Sequence, residues 1–332
     1  MQSIQKNLNL SRNAIKGIAI LWVIFFHAQL GLNGILYEIQ KIGYGGVDIF
    51  LFLSGYGLYR SLSRDQDLAR YLKRRAARLL PVYLPFCLLW FAVMFPLLGR
   101  VRLDSVVLRI IAGNLSMMGF FSGSPEVINW YVSMLALTVL SAPLFAACLR
   151  PGKHYWLRAA MLLAVLFVLG AAYIKNAQYM AFSRFPVFVI GMIFARPYKS
   201  ETAFPLLKWG LAAAFLAGVA ALYFCFARMP DLLNAYAMYW HPFVLITPAL
   251  CAGLGWLFVK CPSALRAPFE VLGRASFEIF LFNAWLEVLG KRFGIVSTPL
   301  EWAAGSLVMI AIGLLYHWIV GKFVQKVVDK RA

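Results

Sequence analysis

The chain has 332 residues, of which 62% are apolar and only 14% charged, so it has too few charges to cover a soluble globule. Its net charge of +19 does not indicate a nucleic-acid-binding protein, because the basic residues lie mainly between apolar runs and form no soluble patch. These runs do not alternate in polarity, which excludes barrel strands and leaves helices as the structures that cross the lipid.

The long apolar runs predict an all-α, polytopic membrane bundle with about ten transmembrane helices. The predicted spans are residues 17–32, 45–59, 79–98, 128–149, 157–174, 182–195, 209–227, 240–259, 275–290 and 300–320. A further apolar segment, residues 106–121, is broken by Gly113, Asn114 and Gly119 and is predicted to be re-entrant or interfacial. We expect one membrane domain over residues 1–332.

The distribution of basic residues predicts the orientation of the bundle. With ten spans, both termini lie on one side of the membrane. The segments on that side hold 23 of the 32 Lys and Arg residues, and the segments on the other side hold 9. Basic residues concentrate in cytoplasmic loops, so both termini are predicted to be cytoplasmic.

His27 is the first candidate site residue, because it lies in the apolar run IAILWVIFFHAQL, where an ionisable side chain is costly. Lys16 precedes it by eleven residues, close to three helical turns, so both side chains project from one helix face about 16 Å apart along the axis. This aligns a cation at the membrane edge with a proton-transfer group. The alternatives are a packing role for His27 and a topology role for Lys16.

The second apolar run, GGVDIFLFLSGYGL, contains Asp48, an acid that needs a partner, water or the membrane edge. Spans one and two form a hairpin, so Asp48 is predicted to orient His27 and to stabilise its protonated form. The alternative is that Asp48 caps the start of its helix. Ser54 and Gly55, in the same run, are either site residues or small residues at a tight helix crossing.

The most basic segment, YLKRRAARLLPVY, precedes the third span and contains Arg74, Arg75 and Arg78. Arg75 and Arg78 are three residues apart and share a helix face. Guanidinium groups bind phosphate oxygens in a bidentate manner, and coenzyme A carries several phosphates. The alternative is that these arginines only orient the chain and contact lipid headgroups.

Weaker signals come from the ninth span, where Glu278, Asn283 and Glu287 are polar residues in an apolar context and are candidates to line the same cavity. His154, His241 and His317 are assigned structural or interfacial roles. The five cysteines lack CxxC spacing, so neither a metal site nor a disulfide framework is predicted.

Taken in order, Lys16 to His27, GGVDIFLFLSGY and RRAARLLPVY are similar to the acyltransferase-3 family of membrane acyltransferases. In that family an Arg or Lys precedes a helix-one His with ten residues between them, a Phe-rich segment ends in Ser-Gly, and an Arg-x-x-Arg pair opens the third helix. The specific part covers residues 12–83, with weaker matches further on. Two positions depart from the family pattern: Asn283 stands where many members have His, and Val187 where many have an acid.

This resemblance implies transfer of an acyl group, usually acetyl, from cytoplasmic acyl-coenzyme A to a hydroxyl of an envelope polysaccharide, a lipid-linked sugar or a similar acceptor in a bacterial inner membrane. It implies that Lys16, Arg75 and Arg78 bind the donor phosphates, and that His27 is the general base, oriented by Asp48. A covalent acyl-histidine intermediate is the less favoured variant. The supporting candidates are Ser54, Arg74 and Asn283.

The expected partners are therefore membrane lipid, acyl-coenzyme A as a donor substrate and the glycan acceptor, with no permanently bound cofactor and no nucleic acid. Many relatives carry an extracytoplasmic hydrolase-like domain after the membrane core. The sequence continues for only about a dozen residues after the last predicted span, so this chain is expected to represent the stand-alone form. A transporter or flippase for an anionic lipid or metabolite is the rival interpretation, since it also needs many helices and intramembrane charges. A non-catalytic partner in envelope assembly is a further alternative.

Overall fold

A computed structural model describes residues 2–100, 102–174, 176–196, 204–229 and 240–329. Every regular element in these ranges is helical, with no strand. The first half of the chain contains α1 Gln2–His27, α2 Gly34–Lys41, α3 Gly45–Arg64, α4 Leu68–Leu97, α5 Ser105–Leu115, α6 Trp130–Cys148 and α7 Tyr155–Ala172. The second half contains α8 Tyr179–Phe182, α9 Phe185–Phe194, α10 Phe204–Arg228, α11 Phe243–Lys260, α12 Ser263–Arg274, α13 Ser276–Phe293 and α14 Pro299–Asp329.

Each of the ten predicted spans contains a helix, which confirms the all-α membrane bundle. Seven described helices are long and apolar enough to cross a membrane: Ser3–His27, Leu68–Leu97, Trp130–Cys148, Tyr155–Ala172, Leu207–Arg228, Phe243–Lys260 and Pro299–Phe323. The helices at the second, sixth and ninth predicted spans, α3, α9 and α13, are not among these seven. The full number of ten therefore stays a prediction, as does the membrane position of α5.

The chain forms two compact units. Unit one comprises Met1–Phe26, Gly34–Gln66 and Ser141–Arg274, and unit two comprises His27–Asn33, Asp67–Leu140 and Ala275–Ala332. Helices α1 and α6 contribute residues to both units. The single domain expected from the sequence stays a prediction.

In unit one, α3 and α9 approach each other closely. A Cβ atom added at Gly55 would lie 2.0 Å from the Phe188 carbonyl oxygen, and one added at Gly191 would lie 2.1 Å from the Phe52 carbonyl oxygen. No larger side chain fits at either position, so the small residues set the distance between the two helices. This bears out the packing alternative for Gly55.

In unit two, α13 and α14 form an antiparallel pair. Gly290 lies against Trp302, Leu286 against Gly305, and Ile279 against Gly313. The contacts run in opposite directions along the two helices, with the reversal in the short connection after Phe293. One face of α13 is thereby packed against α14, and its other faces are available for contacts with the rest of unit two.

Helix α4 runs parallel to α13 within unit two. The ring of Phe86 meets that of Phe282 at 5.2 Å between centroids, and one turn later Trp90 meets Trp285 at 5.7 Å. Both helices advance in the same direction through these contacts, so the start of α4 lies towards the start of α13. The Asp67 side chain caps α4 by accepting a 2.9 Å hydrogen bond from the Arg70 amide.

Candidate active site

His27 is the last residue of α1. The sequence analysis placed it deep inside a span of residues 17–32, and the structure corrects this, because the helix ends five residues earlier. Gly31, with a φ of 60°, belongs to the turn-forming segment that follows. At this helix end the His27 side chain remains 27% exposed, so a substrate can reach the imidazole.

The carboxylate beside His27 belongs to Glu287, in the last turns of α13. His27 Nδ1 lies 3.2 Å from Glu287 Oε2, and both residues belong to unit two. Lys291, one turn further along α13, donates a 2.7 Å hydrogen bond to Glu287 Oε1. Both carboxylate oxygens are therefore engaged, which holds the carboxylate in one orientation.

This pair has the chemistry of a general base and its orienting group. When Nδ1–H donates to the carboxylate, the lone pair of the neutral imidazole lies on Nε2, which then accepts a substrate proton. The tautomer follows from the hydrogen-bond partner, since hydrogen positions are assigned from the network. Glu287 also stabilises the imidazolium that forms once the proton has moved.

A cavity of about 130 Å³ lies along the neighbouring face of the same end of α13. Its walls are contributed by unit two alone: Trp90, Leu98, Ile110, Asn114, Glu126, Val127, Ile128, Val288 and Arg292. Glu126 is the charged centre of this region, with Arg100 Nη2 at 3.1 Å and Arg292 Nη1 at 3.6 Å. Val288 follows Glu287 directly along α13, so this cavity, which is mainly apolar with Glu126 and Arg292 among its lining residues, begins next to the residue that pairs with His27.

Asp48 has a different partner from the one that the sequence analysis offered. Its Oδ2 accepts a 3.2 Å hydrogen bond from Nη1 of Arg184, the N-cap residue of α9, and both side chains are almost completely buried within unit one. The Arg184 guanidinium also lies 5.4 Å from the ring centre of Trp240. An acid inside an apolar bundle needs a cation, and the close α3–α9 contact supplies one. The structure thus gives Asp48 a role in holding α3 to α9, and its proposed action on His27 stays a prediction.

The alternative that Asp48 caps the start of α3 is not what the structure shows. The N-cap residue of α3 is Tyr44, whose side chain makes no capping hydrogen bond, and the Asp48 carboxylate is paired with Arg184. Ser54 lies further along the same helix and is partly buried.

The basic segment forms the second and third turns of α4 in unit two. Arg74 and Arg78 are exposed, whereas Arg75 is partly buried, with its guanidinium 5.4 Å from the ring centre of Tyr71. The Tyr71 hydroxyl donates a 3.0 Å hydrogen bond to the Val139 carbonyl, which anchors this turn. Lys16, the other predicted donor-binding residue, is partly buried in the middle of α1.

The remaining polar residues of α13 lie at different levels of the helix. Glu278, in its first turn, pairs with His317 of α14 at 2.8 Å. Asn283 is buried one turn before Glu287. No group of three or more His, Cys, Asp or Glu residues suited to a metal is found in the described ranges.

Several of the residues in these contacts were not proposed as site residues from the sequence, and Arg184 and Glu126 are the two with the most important partners. An isolated arginine just ahead of a short apolar run is a usable signal for Arg184, because a buried guanidinium requires an acid. Glu126 lies in a loop whose position depends on the tertiary structure, and its sequence context carries no such signal.

Comparison with known families completes the assignment. Among curated proteins and among solved structures, no match to the chain is found. A family model described as an acyltransferase domain matches residues 9–318, which include α1, the basic segment of α4 and both residues of the His27–Glu287 pair. The match extends far beyond residues 12–83, which carried the resemblance. The protein is a multi-pass membrane protein and belongs to the acyltransferase-3 family.

Proposed function

We propose that this membrane acyltransferase moves an acetyl group from acetyl-coenzyme A to a hydroxyl of a cell-envelope polysaccharide or lipid-linked sugar, with His27 as general base. The observation that carries the proposal is the 3.2 Å pairing of His27 Nδ1 with the Glu287 carboxylate at an accessible helix end. A pair of this kind supplies a base without a metal or a resident cofactor.

The reaction follows from this pair. His27 Nε2 takes the proton of the acceptor hydroxyl while its oxygen attacks the thioester carbonyl carbon, and a tetrahedral intermediate with a negative oxygen forms. The intermediate collapses, the carbon–sulfur bond breaks, and the imidazolium returns its proton to the coenzyme A thiolate. A thioester already has a good leaving group, so positioning and one base are the main requirements.

The donor is proposed to enter from the start of α4, with its phosphates on Arg75 and Arg78 and support from Arg74. The expected donor-binding role of Lys16, a residue of unit one, stays a prediction. Trp90 of α4 lies beside Trp285 of α13, two residues before Glu287. With a rise of 1.5 Å per residue along the two parallel helices, Arg75 and Arg78 are therefore about 20 to 25 Å from Glu287 along the helix axis. Coenzyme A carries its phosphates and its thiol at opposite ends of a long pantetheine arm. A phosphate clamp that is remote from the base is therefore what this donor requires.

The proposed orientation supports an acceptor that belongs to the cell envelope. With the N-terminus in the cytoplasm of a bacterial inner membrane, α1 runs outwards and ends at His27. The base then lies near the outer surface, and the basic segment at the start of α4 lies near the cytoplasm. Acetyl transfer would thus take place where envelope glycans are modified, while the donor is bound from inside.

The test uses membranes that contain the wild-type protein or the His27→Ala variant, supplied with acetyl-labelled acetyl-coenzyme A. Wild-type membranes should release free coenzyme A in step with label incorporation into a glycan or lipid-linked sugar, and His27→Ala should lose about 10²- to 10⁴-fold in rate. Label that crosses the bilayer without being transferred would favour the rival transporter interpretation. An equally active His27→Ala variant would remove His27 from the mechanism.

A further inference from the structure

Asn283 is a buried polar residue with an unexplained environment. It lies in the middle of α13, and its residue surface is only 4% exposed. Its side-chain amide makes no hydrogen bond within the described residues, yet it is not among their fully enclosed polar groups that lack a partner. Buried polar residues in native proteins are almost always hydrogen-bonded. An amide with residual access and no protein partner, on the helix that carries Glu287, is therefore free to bond a substrate atom.

The position of Asn283 on α13 directs it towards His27. Glu287, four residues later, contacts His27, and Leu286, three residues later, packs with Ala28 and Trp302. Residues at these spacings share one helix face, with Cβ atoms about 5 to 6 Å apart. Asn283 thus lies one turn closer to the start of α13 than Leu286 and Glu287, the two residues that contact Ala28 and His27.

A second buried asparagine in unit two shows what a structural role looks like. Asn114 is 2% exposed, and its Nδ2 donates to the carbonyls of Ile110 at 2.8 Å and Glu126 at 3.0 Å. Its Oδ1 accepts a hydrogen bond from the Ile128 amide at 2.9 Å. Asn114 satisfies the local backbone, whereas Asn283 makes no such contact, so a purely structural role does not account for an amide at position 283.

We infer that Asn283 is a further catalytic residue, whose Nδ2–H donates a hydrogen bond to the acyl carbonyl oxygen as this oxygen becomes negative in the tetrahedral intermediate. The inference rests on the proposed function, because it places the acyl carbonyl between His27 Nε2 and the Asn283 amide. A buried donor held in place before the reaction stabilises developing charge more effectively than water does. The amide exchanges no proton with the substrate, so it leaves the base role to His27.

The test is the Asn283→Leu variant, which keeps the branching at Cγ, is somewhat larger and has no donor, assayed in membranes with labelled acetyl-coenzyme A and the endogenous acceptor. The maximal rate should fall about 10²- to 10³-fold, as for the loss of one oxyanion donor, with the apparent KM for acetyl-coenzyme A little changed. The thermal midpoint of the purified protein should fall less than it does in Asn114→Leu, which makes the same change in size, because no protein hydrogen bond is lost at position 283. Asn283→Gln keeps the NH2 group and should retain more activity than Asn283→Leu.

Asn114→Leu is the matched control, and it should lower the thermal midpoint because it removes three hydrogen bonds and leaves the Ile128 amide without the acceptor that it has in the wild-type protein. The inference is overturned if Asn283→Leu keeps the wild-type maximal rate, or if it loses stability as Asn114→Leu does. His27→Ala separates the two proposals. If His27→Ala is inactive while Asn283→Leu is fully active, only the role of Asn283 fails, whereas an active His27→Ala overturns the proposed function itself.

Discussion

Replacing Glu287 by Gln should slow acyl transfer while leaving the protein folded. Gln keeps the size of the side chain but can donate from its amide to His27 Nδ1, which favours the tautomer with the proton on Nε2. That tautomer cannot accept the proton of the acceptor hydroxyl. The change also removes the carboxylate charge that stabilises the imidazolium.

The expected magnitudes separate this mechanism from a structural effect. The side chains of His27 and Glu287 are 27% and 33% exposed, and ion pairs of such accessibility contribute about 0–1 kcal/mol to stability. Loss of the correct tautomer in a His–carboxylate system costs up to about 10⁴-fold in rate. At about 1.4 kcal/mol per factor of ten, a 10³-fold loss corresponds to about 4 kcal/mol in the activation barrier. The barrier should therefore change far more than the stability.

Initial rates with labelled acetyl-coenzyme A and thermal midpoints of the purified protein measure the two quantities. Glu270→Gln is a matched control, because Glu270 also makes an i,i+4 pair, with Arg266 at 2.9 Å, and has a similar exposure of 27%. It should keep the wild-type rate. A Glu287→Gln variant as active as Glu270→Gln, or one whose rate falls only in proportion to lost folded protein, would refute the reasoning.

Three further predictions concern the donor-binding arginines, the buried Asp48–Arg184 pair and the membrane topology. Arg75→Lys and Arg78→Lys keep the charge that orients the chain but lose the planar guanidinium fork that binds phosphate, so both variants should insert normally and require more acetyl-coenzyme A for the same rate. An unchanged apparent affinity for acetyl-coenzyme A would leave these arginines with a topology role only. Asp48→Asn should destabilise the protein by about 3 to 5 kcal/mol, because it leaves the Arg184 charge buried without its acid. Unfolding midpoints equal to those of the wild-type protein would argue against a stabilising role for the Asp48–Arg184 pair. Cysteines introduced at the exposed positions Arg70 and Ile295 should react with an impermeant reagent from the cytoplasmic and the outer side respectively, and reaction of both from one side would contradict the topology.

The helices were predictable because hydropathy is a local property. Each apolar run of the sequence contains a helix in the structure, whereas the ends of helices depended on short turn signals that hydropathy ignores. The helix that carries His27 is the example. Leu30 and Leu32 extend the apolar run, but Gly31, Asn33 and Gly34 form a turn-forming segment, and the helix ends before them.

The partners of the charged residues were not predictable in the same way. Asp48 and Arg184 are 136 residues apart in the chain, and nothing in either local sequence points to the other. A predicted hairpin of spans one and two made Asp48 an available partner for His27, but in the structure the carboxylate at His27 belongs to Glu287, from a helix near the other end of the chain. The sequence identified His27 and noted Glu287 as a candidate, and only the structure joined them.

Mass spectrometry of envelope glycans and lipid-linked sugars from cells that produce wild-type protein, His27→Ala or no protein tests the central claim most directly. The account predicts a species with an acetyl mass increment in wild-type cells, and its absence both without the gene and with His27→Ala present at the wild-type level in the membrane. The same acetylated species in His27→Ala cells as in wild-type cells would contradict the account.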